Sequence, residues 1–333
     1  MVDTMGKVAG GRRSRRHHEP ERPRGTRQDA LVIVNPAAAA GRVGRSWPRV
    51  AATLREAGLK FAEALTTGPG EATTIAREAV KQSQPLVVAL GGDGTLNEVL
   101  NGFFEGGEPI PTESVLGLVP FGTGGDTRRT LGIPADIAGA ARILVEGRPR
   151  RLDAGRVRVD GKTLHFIDIA EAGLGAVVSD QVNRAPKYLG GKASFYIGTL
   201  RGLLAWRHQL MHVVVDGSAP RELLAQGVAI ANCQYYGGGM RIAPDALPDD
   251  GLFDVVIRGG IGTVEGLLNF GKLYDGSYAK NAKLMEKIEI IRGKRIEITS
   301  PESVLVQVEG EVVGKLPAVF EMMPAVISFM VPR

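Results

Sequence analysis

The element that most constrains the fold is a corner at residues 86–98. Leu86–Leu90 is an unbroken apolar run, Gly91-Gly92-Asp93-Gly94 follows, and Thr95-Leu96-Asn97-Glu98 opens a stretch of helical composition. An apolar run with no polar break is the pattern of a strand covered on both faces. Glycines between such a strand and a helix let backbone N–H groups approach an anion with no Cβ in the way. The helix N-terminus adds partial positive charge. Phosphate binding is the expected chemistry, against the plainer alternative of a tight strand-to-helix turn. No Gly-Lys-Ser/Thr follows, so this is not a Walker A loop, and the spacing is not G-x-G-x-x-G. Thr95 and Glu98 have capping-box spacing and are expected to start the helix. Asp93 has no such local role, and an acid among phosphate-binding glycines suggests a metal bridge or proton handling.

The corner sits in an alternating series. Strands are expected at Leu31–Val34, Phe61–Thr66, Leu86–Leu90 and Val115–Val119, and helices at Ser46–Ala57, Glu71–Gln82, Thr95–Phe104 and Asp136–Val145. Trp47, Val50 and Leu54 share one face of the first helix, and Gly58 stops it. This alternation predicts a Rossmann-like parallel sheet with crossover helices. A second glycine loop, Pro120-Phe121-Gly122-Thr123-Gly124-Gly125-Asp126, follows the fourth strand. Parallel strands end on one edge, where ligands bind. Asn35-Pro36 and the loop through Gly41, Arg42 and Gly44 belong to that edge too.

After about Gly147 the pattern becomes that of antiparallel strands. Val157 and Val159 alternate before Asp160-Gly161, and Val213 and Val215 precede Asp216-Gly217. Apolar runs at Phe253–Ile257, Ile288–Ile291, Ile296–Ile298 and Val304–Val308 extend this region. The 333-residue length favours two domains. The expected division is a basic tail at 1–29, a nucleotide-binding α/β domain at 30–147 and a β-rich domain at 148–317. The segment 318–333 is a candidate to return to the first domain.

Charge limits the partners. The formal charge of +5 lies wholly within residues 1–28, and the rest of the chain is formally neutral. A nucleic-acid reading would rest on that tail alone, so none is expected. The tail reads as a disordered solvated extension, with weak attraction to anionic membrane as the alternative. The single cysteine, Cys233, excludes an internal disulfide framework and any cysteine cluster for metal. No segment reads as a membrane span or a signal peptide, and a cytoplasmic protein, at most peripheral at the inner membrane face, is expected.

Taken together, these motifs resemble the diacylglycerol kinase catalytic-domain family, which includes bacterial lipid kinases and sphingosine kinases. The matching pieces are Asn35-Pro36, Gly70-Glu71-Ala72, Gly91 to Glu98, Pro120-Phe121-Gly122-Thr123, Gly237-Gly238-Gly239-Met240, Ala243-Pro244-Asp245-Ala246 and Asp249-Asp250-Gly251-Leu252. They span nearly all of residues 30–333 in family order. The glycine block alone is shared with NAD kinases, and the later blocks favour lipid kinases. The resemblance implies a parallel-sheet nucleotide domain, an antiparallel β-sandwich domain and an active site between them. It implies ATP contacts at Asn35, Thr66, Gly91, Gly92, Asp93, Gly94, Thr95, Leu96, Asn97, Gly122 and Thr123. It implies a Mg²⁺ site at Asp250 with the carbonyls of Leu247 and Leu252, an oxygen set that suits this ion.

The same resemblance places the catalytic base at Glu311, with Glu309 beside it in Glu309-Gly310-Glu311, where the family commonly has Asp-Gly-Glu. In an extended segment residues two apart face one side, so both acids could enter the cleft. The alternative is a pair of solvated glutamates at a hairpin. Three further departures fall in the second loop: Gly125 stands where the family often has Asn, and Thr127-Arg128 where Phe-Ala is common.

Gln181–Val215 has no acidic residue, and Arg184, Lys187, Lys192, Arg201 and Arg207 lie among Tyr188, Phe195, Tyr196 and Trp206. A basic amphipathic helix there would suit a membrane interface; packing on the second domain is the other reading. The leading function is ATP-dependent phosphorylation of a lipid hydroxyl, diacylglycerol or a related lipid alcohol. The alternatives are an NAD kinase-like small-molecule kinase and an inactive nucleotide-binding regulator.

Overall fold

A computed structural model describes residues 29–122, 124–184 and 207–333. The basic tail, Thr123 and most of the basic aromatic segment lie outside the described residues. The first half runs β1 (Ala30–Val34), α1 (Ala38–Glu56), β2 (Phe61–Leu65), α2 (Glu71–Lys81), β3 (Leu86–Gly91), α3 (Asp93–Asn101), β4 (Phe104–Glu105), β5 (Glu108–Pro109), β6 (Val115–Pro120), α4 (Asp126–Thr130) and α5 (Ile137–Glu146). The second half runs β7 (Arg148–Val159), β8 (Lys162–Phe166), β9 (Ile169–Gly173), α6 (Leu174–Arg184), β10 (Gln209–Val215), β11 (Arg221–Ala225) and β12 (Gly227–Ala231). It continues through β13 (Phe253–Arg258), β14 (Ile288–Gly293), β15 (Arg295–Thr299), β16 (Leu305–Val308), β17 (Glu311–Lys315) and β18 (Ala318–Val331), with short helical turns between residues 263 and 285.

Strands β2, β1, β3 and β6 are neighbours in that order and all parallel. All six residues of β3 are buried, because helices cover both faces of the sheet. On one face α1 and α5 pack Val43, Trp47, Val50, Leu54 and Leu144 against Val32, Val88 and Leu90. On the other, α2 and α3 pack Ala76, Val80, Leu96 and Leu100 against Ile33, Val87 and Ala89. The expected face of α1 is therefore the buried one. Its first turn is irregular: Ala39, Ala40 and Gly41 are left-handed, so the regular helix starts after Gly41.

The antiparallel half continues the parallel sheet instead of standing apart from it. The 14-residue strand β18 pairs in parallel with β6 at Phe329–Leu116 and antiparallel with β15 and β7. Its register shifts between Met323 and Ile327. One ten-stranded sheet results, and a six-stranded antiparallel sheet, β14-β13-β12-β9-β16-β17, faces its far end. Val157, Phe166, Ile296 and Phe320 from the first sheet meet Ala172, Ile230, Val255 and Val306 from the second in one core. The Phe166 and Phe253 rings stack across it at 5.7 Å. The architecture is thus a parallel-sheet α/β domain with an antiparallel β-sandwich. Asp160-Gly161 forms the two-residue turn between β7 and β8, both residues at positive φ.

The two halves are locked beside the glycine corner. The side-chain amides of Asn97 and Asn101 each donate to the His165 carbonyl at 2.9 Å, and the His165 N–H donates to Asn101 Oδ1 at 2.9 Å. His165 also stacks on Phe104, with ring centroids 3.7 Å apart. Burial pulls the His165 imidazole down to about 4, so it is neutral and serves as a packed hydrogen-bonding ring. Helix α3, and with it the corner, is thereby fixed to β8.

Candidate active site

Strand β3 ends at Gly91, Gly92 is the N-cap of α3, and Asp93 begins the helix. A Cβ on Gly91 would sit 2.5 Å from Thr95 Oγ1, so the corner closes only with glycine there. Gly92 and Gly94 differ: a Cβ on either meets nothing within 4 Å. Their faces border open space at a helix N-terminus, which is a cradle an anion can fill. The second loop lies against this cradle. The Phe121 N–H donates to the Gly91 carbonyl at 2.7 Å, and a Cβ on Gly122 would come 3.1 Å from the Gly92 Cα. Asn35, at the end of β1, reaches Thr95 Oγ1 at 3.4 Å, and the buried Thr66 donates its N–H to the Val34 carbonyl at 2.9 Å. Leu96 is fully buried and anchors the corner from beneath. The residues from Asn35 through Gly122 expected to contact nucleotide therefore lie along one sheet edge, whereas Thr123 is outside the described residues.

The capping box does not form. Helix α3 begins two residues before Thr95, so Thr95 lies within the first turn, and no side chain caps the helix. Glu98 reaches sideways and accepts the Gly70 N–H at 3.1 Å, tying α3 to the entry of α2.

Asp93 does have a structural partner, contrary to the sequence reading. Its carboxylate accepts the Gly125 N–H at 2.7 Å and the Asp126 N–H at 3.2 Å. Asp93 thus staples the first glycine loop to the second at the start of α4. A charged acceptor on two backbone donors is among the stronger hydrogen-bond arrangements, contributing about 1.5–3 kcal/mol per bond.

Glu309 and Glu311 do not share a face. Glu309 and Gly310 both have positive φ, 49° and 87°, and form the two-residue turn that pairs Val308 with Glu311. The chain reverses between the two acids, so the period-two argument fails. Glu311 begins β17 and is exposed. Glu309 turns inward: its Oε1 accepts the N–H groups of Ile167 at 2.7 Å and Asp168 at 3.0 Å, while its buried Oε2 has no hydrogen-bond partner among the described residues. Burial pushes the Glu309 carboxyl up to about 7, and the Asp93 charge adds to the effect.

Two acids join this group that the sequence reading had not placed at the site. Asp126 accepts the Gly238 N–H at 2.8 Å and pairs with Arg129 at 2.8 Å; burial and the Asp93 charge push it up to about 6. Asp168, between β8 and β9, is almost wholly buried and accepts the Thr127 hydroxyl at 3.3 Å. Its other oxygen has no partner among the described residues, and burial together with Asp126, Glu309 and Asp93 drives its carboxyl well above the usual range. Four carboxylates from α3, α4, the β8–β9 link and the β16–β17 turn therefore converge beside the glycine cradle. A visible trace of Asp168 is the single acid interrupting the apolar run Phe166–Ala170.

The implied Mg²⁺ site is arranged differently. Asp250 Oδ1 accepts the Leu252 N–H at 3.1 Å, and its Oδ2 pairs with the Arg292 guanidinium. The same guanidinium lies 3.7 Å from Asp254 Oδ2, and Leu247 is exposed. Asp153 fixes the loop by accepting the Gly251 N–H at 2.7 Å. With both Asp250 oxygens engaged and an arginine already supplying positive charge, the residues do not fit a divalent ion there. No group of three or more His, Cys, Asp or Glu residues among the described residues is arranged to hold a metal.

Residues 29–157 match the model of the diacylglycerol kinase catalytic domain, and residues 168–331 match that of the YegS C-terminal NAD kinase beta sandwich-like domain. A diacylglycerol kinase of Staphylococcus aureus (strain bovine RF122 / ET3-1) is 30% identical over 297 residues, 88% of this chain and 89% of its own length. The chain belongs to the diacylglycerol kinase family. Its likeness to solved structures agrees: one candidate diacylglycerol kinase of Bacillus anthracis str. Sterne superposes with a TM-score of 0.73 at 25% identity, covering 92% of this chain and 99% of that one. A second from the same strain gives 0.70 at 26% identity, covering 92% and 98%. The chain is accordingly a kinase of a lipid-kinase family. No helix among this kinase's described residues is long and apolar enough to cross a membrane.

Proposed function

We propose that this kinase transfers the γ-phosphate of ATP, bound as its magnesium complex, to the hydroxyl of diacylglycerol or a related lipid alcohol. The observation that carries the reading is the convergence of buried acids on an open glycine cradle, with Glu309 tuned to about 7. The triphosphate occupies the cradle at Gly92 and Gly94, with Asn35, Thr66, Gly91, Thr95, Leu96, Asn97 and Gly122 around it; the resemblance assigns Thr123 to the same contact. Asp93 holds the two loops in register. The lipid hydroxyl enters between Glu309 and the terminal phosphate.

The step balances simply. The hydroxyl proton passes to Glu309 Oε2, the hydroxyl oxygen bonds to the γ-phosphorus, and the bridging bond to the β-phosphate breaks to release ADP. A base near neutrality is suited to this, because it is largely ionised when the hydroxyl arrives and still basic enough to accept its proton. Phosphoryl transfer otherwise needs positioning and charge neutralisation. Glu309, not Glu311, is the base in this reading, and Arg292 fills the role that the resemblance gives to a metal at Asp250. The nucleotide part is taken as 30–147, the lipid part as 148–317, and β18 as the strand shared by both. Contact with an anionic membrane surface would bring the enzyme to its substrate.

The test is transfer from radiolabelled ATP to a panel of lipid alcohols in mixed micelles, with NAD as control. Label in diacylglycerol or another glycerolipid alcohol is expected. Label in NAD and in none of the lipids would overturn the proposal.

A further inference from the structure

Two departures in the second glycine loop are in contact. Gly125 is left-handed, at φ +71° and ψ 45°. A Cβ on it would lie 2.7 Å from Arg128 Nε, 3.1 Å from Cδ and 3.2 Å from Cγ. The arginine stem therefore crosses the bare face of Gly125, in the space that an asparagine side chain would need. The neighbouring Arg129 is committed to the loop itself, donating to the Gly124 carbonyl at 2.7 Å and to Asp126 Oδ1 at 2.8 Å. The Arg128 guanidinium makes no hydrogen bond to another described residue. Burial, with the nearby Arg129 charge, lowers its affinity for its proton, while the nearby charges of Asp93 and Asp126 act the other way.

We propose that Arg128 is a catalytic cation that grips the terminal phosphate of the bound nucleotide, and that Gly125 makes room for it. This rests on the reading of the cradle as a triphosphate site. Four carboxylates converge where a highly charged anion must bind, so the anion needs a fixed counter-charge. Arg128 is placed for it, on α4, whose start Asp93 holds against the cradle. A planar guanidinium matches two phosphate oxygens at once and stays charged at all working pH values. Because the acids mark the end of the cleft where the hydroxyl loses its proton, the phosphate beside Arg128 is the one transferred.

The experiment compares ATP and ADP binding, each with Mg²⁺, by calorimetry on the full chain and on Arg128→Ala, Arg128→Lys, Gly125→Asn and the Gly125→Asn/Arg128→Ala pair. In Arg128→Ala, ATP affinity is expected to fall about tenfold or more while ADP stays within about twofold, and kcat is expected to fall about a hundredfold or more. Arg128→Lys should restore part of the ATP preference. Gly125→Asn, a residue that tolerates the left-handed region, should reproduce the alanine variant by displacing the arginine. The double variant should be no worse than either single one. Equal losses for ATP and ADP, no loss for either, or additive losses in the double variant would overturn the proposal. A wild-type protein that binds both nucleotides with this pattern but labels no lipid would sink the acceptor assignment and leave Arg128 standing. A wild-type protein that binds neither would sink both.

Discussion

Replacing Glu309 by glutamine should make a protein that is more stable and nearly inactive. Glutamine keeps the length of the side chain and an oxygen for the N–H groups of Ile167 and Asp168. It removes only the ionisation. The carboxyl is raised from 4.5 to about 7 in the folded protein, so folding favours the protonated form. Below pH 4.5 both folded and unfolded chains are protonated and the group has no effect. Between 4.5 and about 7 the unfolded chain ionises first, and stability falls as pH rises. Above 7 the full penalty applies, about 2–3 kcal/mol once the border with the open cleft is allowed for. Glu309→Gln should recover most of that at pH 8.5, raising Tm by about 3 °C, and almost none at pH 4.5. Transfer to lipid should fall by a factor of about a hundred or more, the usual contribution of a positioned base. Calorimetric melts at both pH values, paired with the radiolabel assay, read both effects. Glu311→Gln, at the exposed start of β17, should lose far less activity. A Glu309→Gln enzyme with more than a tenth of wild-type activity, or one with the same Tm difference at both pH values, would refute the reasoning.

Asp93→Asn should loosen the two loops, because one carbonyl must replace a carboxylate on two N–H donors; ADP affinity should fall about tenfold. Wild-type ADP affinity by calorimetry would count against the staple. Arg292→Ala should leave Asp250 and Asp254 without their cation, so Tm should drop in EDTA and recover in millimolar Mg²⁺, while the wild-type melt ignores both additions. A wild-type melt that depends on Mg²⁺ would show that a metal, not Arg292, holds this loop.

What the sequence disclosed, and what it hid, follows from the range of the interactions. Strand β3 was readable because a strand covered on both faces must be apolar throughout. The Asp160-Gly161 turn was readable because a two-residue hairpin needs positive φ at both central residues, and Asp-Gly supplies them cheaply. Glu309-Gly310 is the same device with a bulkier first residue, and treating it as extended backbone put both acids on one side, whereas the turn sends only Glu309 inward. The capping box failed for a similar local reason: Gly92 already starts the helix, which leaves Glu98 free to hold Gly70. The site's electrostatics lay beyond any such rule. No spacing announces that Arg292 will meet Asp250, or that Asp168 and Glu309 will meet Asp93 and Asp126, since each pairing depends on how β9, β16 and the glycine loops pack. The second loop stands between these cases. Gly125 and Arg128 are close enough in sequence to be read as a pair, yet only the left-handed turn at Gly125 brings the arginine stem across it. A substitution that looks like the loss of a family residue is, in three dimensions, the opening through which another side chain reaches the site.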